Sequence, residues 1–352
     1  MQRAFGFDMV GRAWKKGEQV EQFITLDFGS GGKKTAELID KLILPRFGND
    51  VLHELGDGAI IDGAKRLVFT TDSFVVSPYF FPGGDIGKLA VCGTVNDIAV
   101  SGGRPMYLSL SAIIEEGLPV EDLERILDSV MIAAKEAGVM VVTGDTKVVE
   151  RGKCDGIYLN TAGIGFLSHE GLSPGAICPG DKVLISGTAG DHGTAVMLAR
   201  NEHLLQGNVQ SDCAPLHELT SMLEKLGGNL RVMRDPTRGG LATTLCEFAE
   251  GRDFSIELEE ERIPVDKGVL AACSILGIDP LYAANEGKLI AVAAPESAEE
   301  AVELLKTRPL GENAVIIGTV CEANPGRVLL KTGIGGTRVL TKLSGIQLPR
   351  IC

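Results

Sequence analysis

No CxxC pair occurs among the eight cysteines of this 352-residue sequence, so zinc ribbons and dithiol redox motifs have no foothold in it. Aromatic residues are scarce, with one Trp and four Tyr, and a core of Val, Ile, Leu and Ala is expected. No apolar run approaches the ~20 residues that a membrane span needs; LIAVAA, from Leu289, is among the longest. The chain does not open on a basic start, an apolar stretch and a small-residue cleavage site, so a cytoplasmic location is expected and secretion is not. Positive charge is also in deficit: 34 Lys and Arg face 47 Asp and Glu, for a net charge of −13. That balance argues against a nucleic-acid partner, whose phosphates would need neutralising in bulk. Without a secretory leader the thiols are expected to be reduced, and most to be buried as small hydrophobes. One stands apart by position: Cys352 is the last residue, in LPRIC.

The length suits two domains of roughly 150 residues each. Residues 1–24 read as a loosely held extension, 25–167 as a first domain, 168–336 as a second, and 337–352 as a mobile tail. The junction is SHEGLSPGAICPGD (168–181), rich in Gly and Pro. In the first domain, TAELIDKLILPRF reads as a helix stopped at Pro45, and IGKLAVCGTVNDIAVSGG as a helix ending at Gly102 and Gly103. PVEDLERILDSVMIAAKEAGV is amphipathic, with Leu123, Ile126, Leu127 and Val130 on one face. KRLVFTTDSFVVSP holds two short β-rich runs, MYLSLSAIIEEG reads as a strand, and MVVTGDTKVV as a strand running into a Gly-Asp turn. Strands and helices mix in both halves, so the fold class is α/β or α+β.

The loop Gly29-Ser30-Gly31-Gly32-Lys33 sets flexible backbone N–H groups beside an ammonium, a combination that suits polyphosphate oxygens. It lacks Walker spacing, and an ordinary flexible loop is the alternative. Asp57, Asp72, Asp97, Asp145 and Asp235 stand at the ends of apolar runs. There a carboxylate is poorly solvated unless a cation or donor compensates it, and magnesium takes such oxygens. Each could instead steady its own turn. His192, in Gly190-Asp191-His192-Gly193, is open between turn stabilisation and substrate contact.

Taken together, TTDSFVVSP, FPGGDIGKLAVCGTVNDIAVSGGRP, VVTGDTKVVERG, SGTAGDHGTAVM, RDPTRGGLATTLCEFA, NEGKLIAVA and the final PRIC resemble the PurM-like superfamily. This group of ATP-dependent enzymes includes aminoimidazole ribonucleotide synthetase (AIR synthase) and selenophosphate synthetase. Within it they resemble the hydrogenase maturation factors that act as carbamoyl dehydratases. The resemblance runs from about Gly29 to Cys352. TTD and NDIAVSGG specify only the scaffold; GDTKVV, RDPTRGG, NEGK and the PRIC end are more specific. It implies a PurM-like two-domain fold whose first domain makes a barrel-like homodimer core, with ATP and Mg2+ in the cleft between domains.

By position it implies Asp57, Asp72, Asp97 and Asp145 as metal residues. Gly31, Gly32, Lys33, Lys88, Asn96, Gly144, Thr146, Asp235 and Arg238 become nucleotide or phosphate residues, and Cys352, Glu286 and Lys147 catalytic ones. It implies dehydration of an S-carbamoyl group on Cys352 to a thiocyanate, supplying cyanide for the iron of [NiFe]-hydrogenase. The implied partners are a HypF-like carbamoyltransferase and an iron-carrying HypC–HypD-like complex. The tail is expected to alternate between an outward and an inward position, with Arg350 helping it dock. Selenophosphate synthetase, the nearest rival, carries a reactive cysteine or selenocysteine near its N-terminal loop, and this chain has no cysteine before Cys92. A non-catalytic carrier using Cys352 is the rival from another class.

Overall fold

The computed structural model describes residues 22–56, 58–201, 207–345 and 351–352. Asp57, Arg350 and residues 1–21 of the expected extension lie outside the described residues.

The first domain is a four-stranded sheet with helices on one face. Its strands, β1 (Leu67–Phe74), β2 (Gly103–Glu115), β3 (Met140–Val149) and β4 (Ile157–Leu167), lie in the order β1-β4-β2-β3. β2 and β3 are parallel and the other neighbours antiparallel. The two runs expected around TTD are one strand, with Thr70, Asp72 and Phe74 turned inward and Leu67, Phe69, Thr71 and Ser73 outward. β3 runs straight through Gly144-Asp145, where a turn was expected. A Cβ at Gly144 would sit 2.2 Å from the Leu110 carbonyl oxygen, so glycine serves close strand approach there.

Helices α1 (Ile86–Val100) and α2 (Val120–Ala137) cover the inward face. The Asp85 side chain caps α1, accepting from the N–H groups of Gly87 at 2.7 Å and Lys88 at 3.1 Å. α1 is buried on nearly every side, and a Cβ at Gly87 would meet the Ile126 carbonyl oxygen at 2.3 Å. The helical segment 33–47 passes through Pro45, where a stop was expected. Its turn widens to π geometry over Ile39–Ile43, and Pro45 falls in the first turn of the next helical piece, where a missing N–H costs nothing.

Among the described residues the sheet is open at both edges, and the barrel-like core expected of a homodimer is not closed within one chain. The outward face exposes Leu67, Phe69, Ile113 and Met140.

Among the described residues the second domain has seven strands: β5 (Lys182–Ile185), β6 (Leu230–Arg234), β7 (Ser255–Glu259), β8 (Ile290–Ala293), β9 (Val315–Cys321), β10 (Val328–Lys331) and β11 (Thr337–Leu340). Their order is β11-β10-β7-β9-β5-β8-β6, and β10 with β7 is the parallel pair. β11 pairs with β10, so residues placed in the tail belong to the sheet. One face packs Leu241, Leu245 and Phe248 of α4 (Gly240–Ala249), which follows α3 (Asp191–Arg200). The other packs Leu219 and Leu223 with Ala301 and Leu305 of α5 (Ala298–Lys306).

α1 joins the domains. The Asn96 amide donates to the carbonyls of Ala214 and Glu286, each at 3.2 Å, and its oxygen accepts from the Leu216 N–H at 2.8 Å. Nearby, the Ser211 N–H donates to the Pro82 carbonyl at 2.8 Å.

Candidate functional site

Four carboxylates meet where the domains join, each from a different element. Asp72 lies on β1, Asp97 is late in α1, Asp235 follows β6, and Glu286 comes before β8. Thr70 Oγ1 donates to Asp97 Oδ2 and the Ser73 N–H to Asp72 Oδ1, both at 2.8 Å. Asp235 is 5% exposed and Glu286 2%. Burial is the largest cause of a raised pKa in all four. Mutual repulsion adds to it: Asp97 lifts Asp72 and Asp235, and Asp235 lifts Glu286. Asp235 is pushed up to about 7, and Glu286 stands well above the carboxylate range. Charge of one sign at this density calls for a cation. Among the described residues, no three acidic, His or Cys side chains are gathered as a metal-holding group. A cation here would therefore need phosphate or water oxygens as well.

Glu286 is held by a residue that the sequence did not single out. Asp212 Oδ1 accepts from the Glu286 N–H at 3.1 Å; its Oδ2 accepts from Asn285 Nδ2 at 2.9 Å and the Gly287 N–H at 3.3 Å. Lys288 Nζ lies 3.4 Å from both Asp212 and Asp191. A Cβ at Gly287 would sit 1.8 Å from the Asp212 carbonyl oxygen, which explains the glycine of NEGK. No spacing rule links Asp212 to residues more than seventy positions away, so only the fold reveals it.

Cys352 reaches this cluster. Its backbone oxygen accepts from the Val75 N–H at 3.2 Å, and Ile351 beside it is 4% exposed. Burial first and Glu286 second push the Cys352 thiol up to about 12, while Arg238 pulls it down by charge and a hydrogen bond. Arg238 also stands 3.9 Å from Asp72. The adjacent Cys92 thiol, then burial and the charge of Glu286, hold the Cys213 thiol well above its ordinary value, and Lys88 partly offsets this.

Other expected residues lie elsewhere. The register row Asp72–Thr161–Leu110–Gly144 faces the helices, so the next row, Ser73–Asn160–Ser111–Asp145, faces out. Asp145 therefore does not join Asp72 and Asp97 within one chain: it lies on the opposite face and three strand spacings away, about 14 Å. It pairs with Lys147 at 2.7 Å, which holds its carboxyl below the usual range. Lys147 shares that outward face and is not beside Cys352 of its own chain. Asn96 has its amide committed to backbone groups and no capacity left for phosphate, a correction to its expected role. Lys33 is exposed at 91% of its side chain, 3.9 Å from Glu37.

A second feature lies at the β3 edge: a cavity of about 260 Å³ between the sheet and the helical segment 33–47. Leu38, Leu127, Val141 and Leu159 give it apolar walls; Gly31, Gly144, Asp145, Thr146 and Lys147 supply its polar portion. Gly31 adopts a φ of +77°, open to glycine at little cost.

Residues 55–167 match the family AIR synthase related protein, N-terminal domain, and residues 178–331 match AIR synthase related protein, C-terminal domain. The chain is 50% identical over 332 residues to the carbamoyl dehydratase HypE of Bradyrhizobium diazoefficiens, covering 94% of this chain and 96% of that protein. A crystal structure of hydrogenase maturation protein HypE in complex with ATP superposes with a TM-score of 0.89 at 47% identity, covering 93% and 99% of the two chains. A crystal structure of a HypE–HypF complex gives 0.76 at 47% identity, over 87% and 99%.

Proposed function

This chain belongs to the AIR synthase related family and, within it, to the carbamoyl dehydratases called HypE, and from that membership we propose how its interdomain site works. The protein is an ATP-dependent carbamoyl dehydratase of hydrogenase maturation. The observation that carries the mechanism is the seat of Cys352 against Glu286, Arg238 and Asp72.

A HypF-type carbamoyltransferase loads Cys352, giving an S-carbamoyl group. Its amide oxygen attacks the γ-phosphorus of ATP and ADP leaves; the amide nitrogen gives up one proton, and an imidate phosphate forms. Loss of phosphate together with the remaining N–H proton then leaves S–C≡N. The oxygen departs on phosphate, so one ATP becomes ADP and phosphate and no redox partner is needed. Glu286, whose proton affinity is raised, takes the nitrogen proton. Arg238 steadies charge passing through the phosphoryl group. Asp72, Asp97 and Asp235 fit Mg2+ by donor type and by unrelieved like charge; the ion supplies positive charge at the phosphates. The nitrile is delivered to iron carried by a HypC–HypD-type complex.

The docked thiol itself, at about 12, is almost entirely protonated at neutral pH and is a poor nucleophile there. Carbamoylation therefore belongs to an outward position of the tail. The inward seat suits the neutral S-carbamoyl group, which has no proton to lose from sulfur.

We place the nucleotide base in the apolar cavity at the β3 edge, with phosphates toward Gly31, Gly32, Gly144, Thr146 and Lys147. That edge is about 14 Å from Asp72 across the sheet, so phosphates bound there do not reach Cys352 of the same chain, and the proposed homodimer, in contact through the outward face, supplies one chain's Lys147 to the other's Cys352 around the sheet edge. Exposed Leu67, Phe69, Ile113 and Met140 support that contact. No helix among the described residues is long and apolar enough to cross a membrane, consistent with a cytoplasmic enzyme.

The decisive experiment incubates the protein with a HypF-type transferase, carbamoyl phosphate, Mg2+ and ATP and weighs the terminal peptide. A carbamoylated peptide that loses the mass of one water only when ATP is present supports the reaction. Loading without that loss would overturn it.

A further inference from the structure

His192 is fully buried in α3, and both its ring nitrogens are engaged. Nε2 lies 2.6 Å from the carbonyl oxygen of Ile351, and Nδ1 lies 2.8 Å from Ser211 Oγ. A carbonyl only accepts, so Nε2 carries the proton, and Nδ1 accepts from the Ser211 hydroxyl. Ser211 Oγ in turn accepts from the Cys213 N–H at 3.1 Å, which orients its hydroxyl toward the ring. The ring edge packs on Phe81, with centroids 5.3 Å apart. The Ser211 N–H is itself fastened to Pro82, so the relay is anchored in both domains. One tautomer and one orientation result. Burial lowers the pKa of His192, in keeping with a neutral ring.

We propose that His192 is a positioning residue for the dehydration: with Ser211 behind it, it grips the Ile351 carbonyl and sets the register that presents the Cys352 sulfur to Glu286. Two hydrogen bonds hold the last two residues, His192 of the second domain at the Ile351 carbonyl and Val75 of the first at the terminal backbone oxygen of Cys352. Both read backbone atoms. The grip is therefore indifferent to what the sulfur carries and holds the same register for thiol, carbamoyl group and thiocyanate alike. It also differs from the contacts of Arg238, Glu286 and Asp72, which act at the sulfur and change with its chemistry. The inference deepens the reading of Cys352 as the group carrier and rests on it.

The test compares His192→Leu, which removes the donor, with His192→Gln, whose side-chain N–H can replace Nε2–H. Iodoacetamide labelling of the terminal peptide, followed by mass spectrometry, separates Cys352 from the other thiols. Labelling should be roughly tenfold faster in His192→Leu, the scale of one buried hydrogen bond, and near wild type in His192→Gln. Single-turnover dehydration of preloaded protein should fall in His192→Leu with ATP affinity unchanged, and recover in His192→Gln. Ser211→Ala, which leaves the imidazole free to turn, should fall between the two and serves if His192→Leu proves misfolded by circular dichroism. Unchanged labelling in His192→Leu, or in Ser211→Ala if that variant stands in, overturns the grip even if dehydration by the wild type is intact. A wild type that never forms nitrile fails the functional reading instead, and labelling still decides the grip.

Discussion

Replacing Asn96 by alanine tests whether this residue joins the domains or binds phosphate. The substitution removes three hydrogen bonds, to Ala214, Glu286 and Leu216. The Glu286 carbonyl keeps a partner in the Ala214 N–H at 3.3 Å. The Ala214 carbonyl and the Leu216 N–H lose theirs at a position with no exposed surface on Asn96. Two buried groups left unsatisfied, at about 1–3 kcal/mol each, give a loss of about 2–6 kcal/mol. That is a large share of the 5–15 kcal/mol typical of a folded protein. Because the lost bonds cross between domains, a guanidinium titration should show an earlier midpoint and a shallower slope as the domains begin to unfold separately. Asn96→Asp should do no better, since its second oxygen would face two carbonyls. ATP affinity of whatever remains folded should be near wild type. A midpoint shift worth under about 0.5 kcal/mol, with ATP affinity down tenfold or more, would refute this reasoning and return Asn96 to the phosphate role.

Asp235 stands at about 7 in the fold against an ordinary 3.8. The folded state thus holds a proton that the unfolded chain releases, and stability falls as pH rises through that window, by at most about 4 kcal/mol. Asp235→Asn should therefore stabilise the magnesium-free protein more at pH 8 than at pH 4, read by denaturant melts; equal gains at both would contradict the shift. Glu286→Gln should abolish nitrile formation and also lower the pKa of the docked Cys352, since Glu286 is among the causes that raise it. The pH profile of Cys352 alkylation reads this, and an unmoved profile would place Glu286 too far from the sulfur. Phe69→Glu should convert dimer to monomer in light scattering. Lys147→Ala mixed with Cys352→Ala should regain part of the activity that each lacks alone; no regain in a verified mixed dimer would put both residues in one chain's site.

The fold class was legible because periodicity carries it. The buried stripe Leu123, Ile126, Leu127 and Val130 lies inside α2 as the sequence indicated, and the junction at 168–181 separates the two sheets. The failures were at glycine and proline, where one residue type serves opposite ends. Gly144 looks like a turn but admits a strand crossing too close for a Cβ. Pro45 looks like a stop, yet it sits where a helix restarts. At the site, Asp72, Asp97, Asp235 and Glu286 were identifiable as sheet-end or motif carboxylates, whereas their grouping came from the family resemblance and not from their spacing. Grouping depends on face parity, and parity separates Asp145 from Asp72 by a single register step that no local pattern records.

Parity also bears on why the chemistry needs a tail at all. The carboxylate cluster is buried enough that Asp235 and Glu286 hold protons tightly. With a cation bound at the cluster to leave Glu286 ionised, that raised proton affinity suits accepting the amide protons of a neutral group. The same site suppresses a thiolate, as the value of about 12 at Cys352 states. One environment cannot favour both a thiolate for loading and a strong carboxylate base for dehydration, because each negative charge raises the cost of the other. On the proposed reading, separating the two steps in space resolves the conflict: the sulfur is loaded in water, near its ordinary pKa, and reacts in the acidic cleft as an uncharged ester-like group. The backbone grip of His192 and Val75 is what such a passage requires, since it holds the chain without responding to the charge on sulfur.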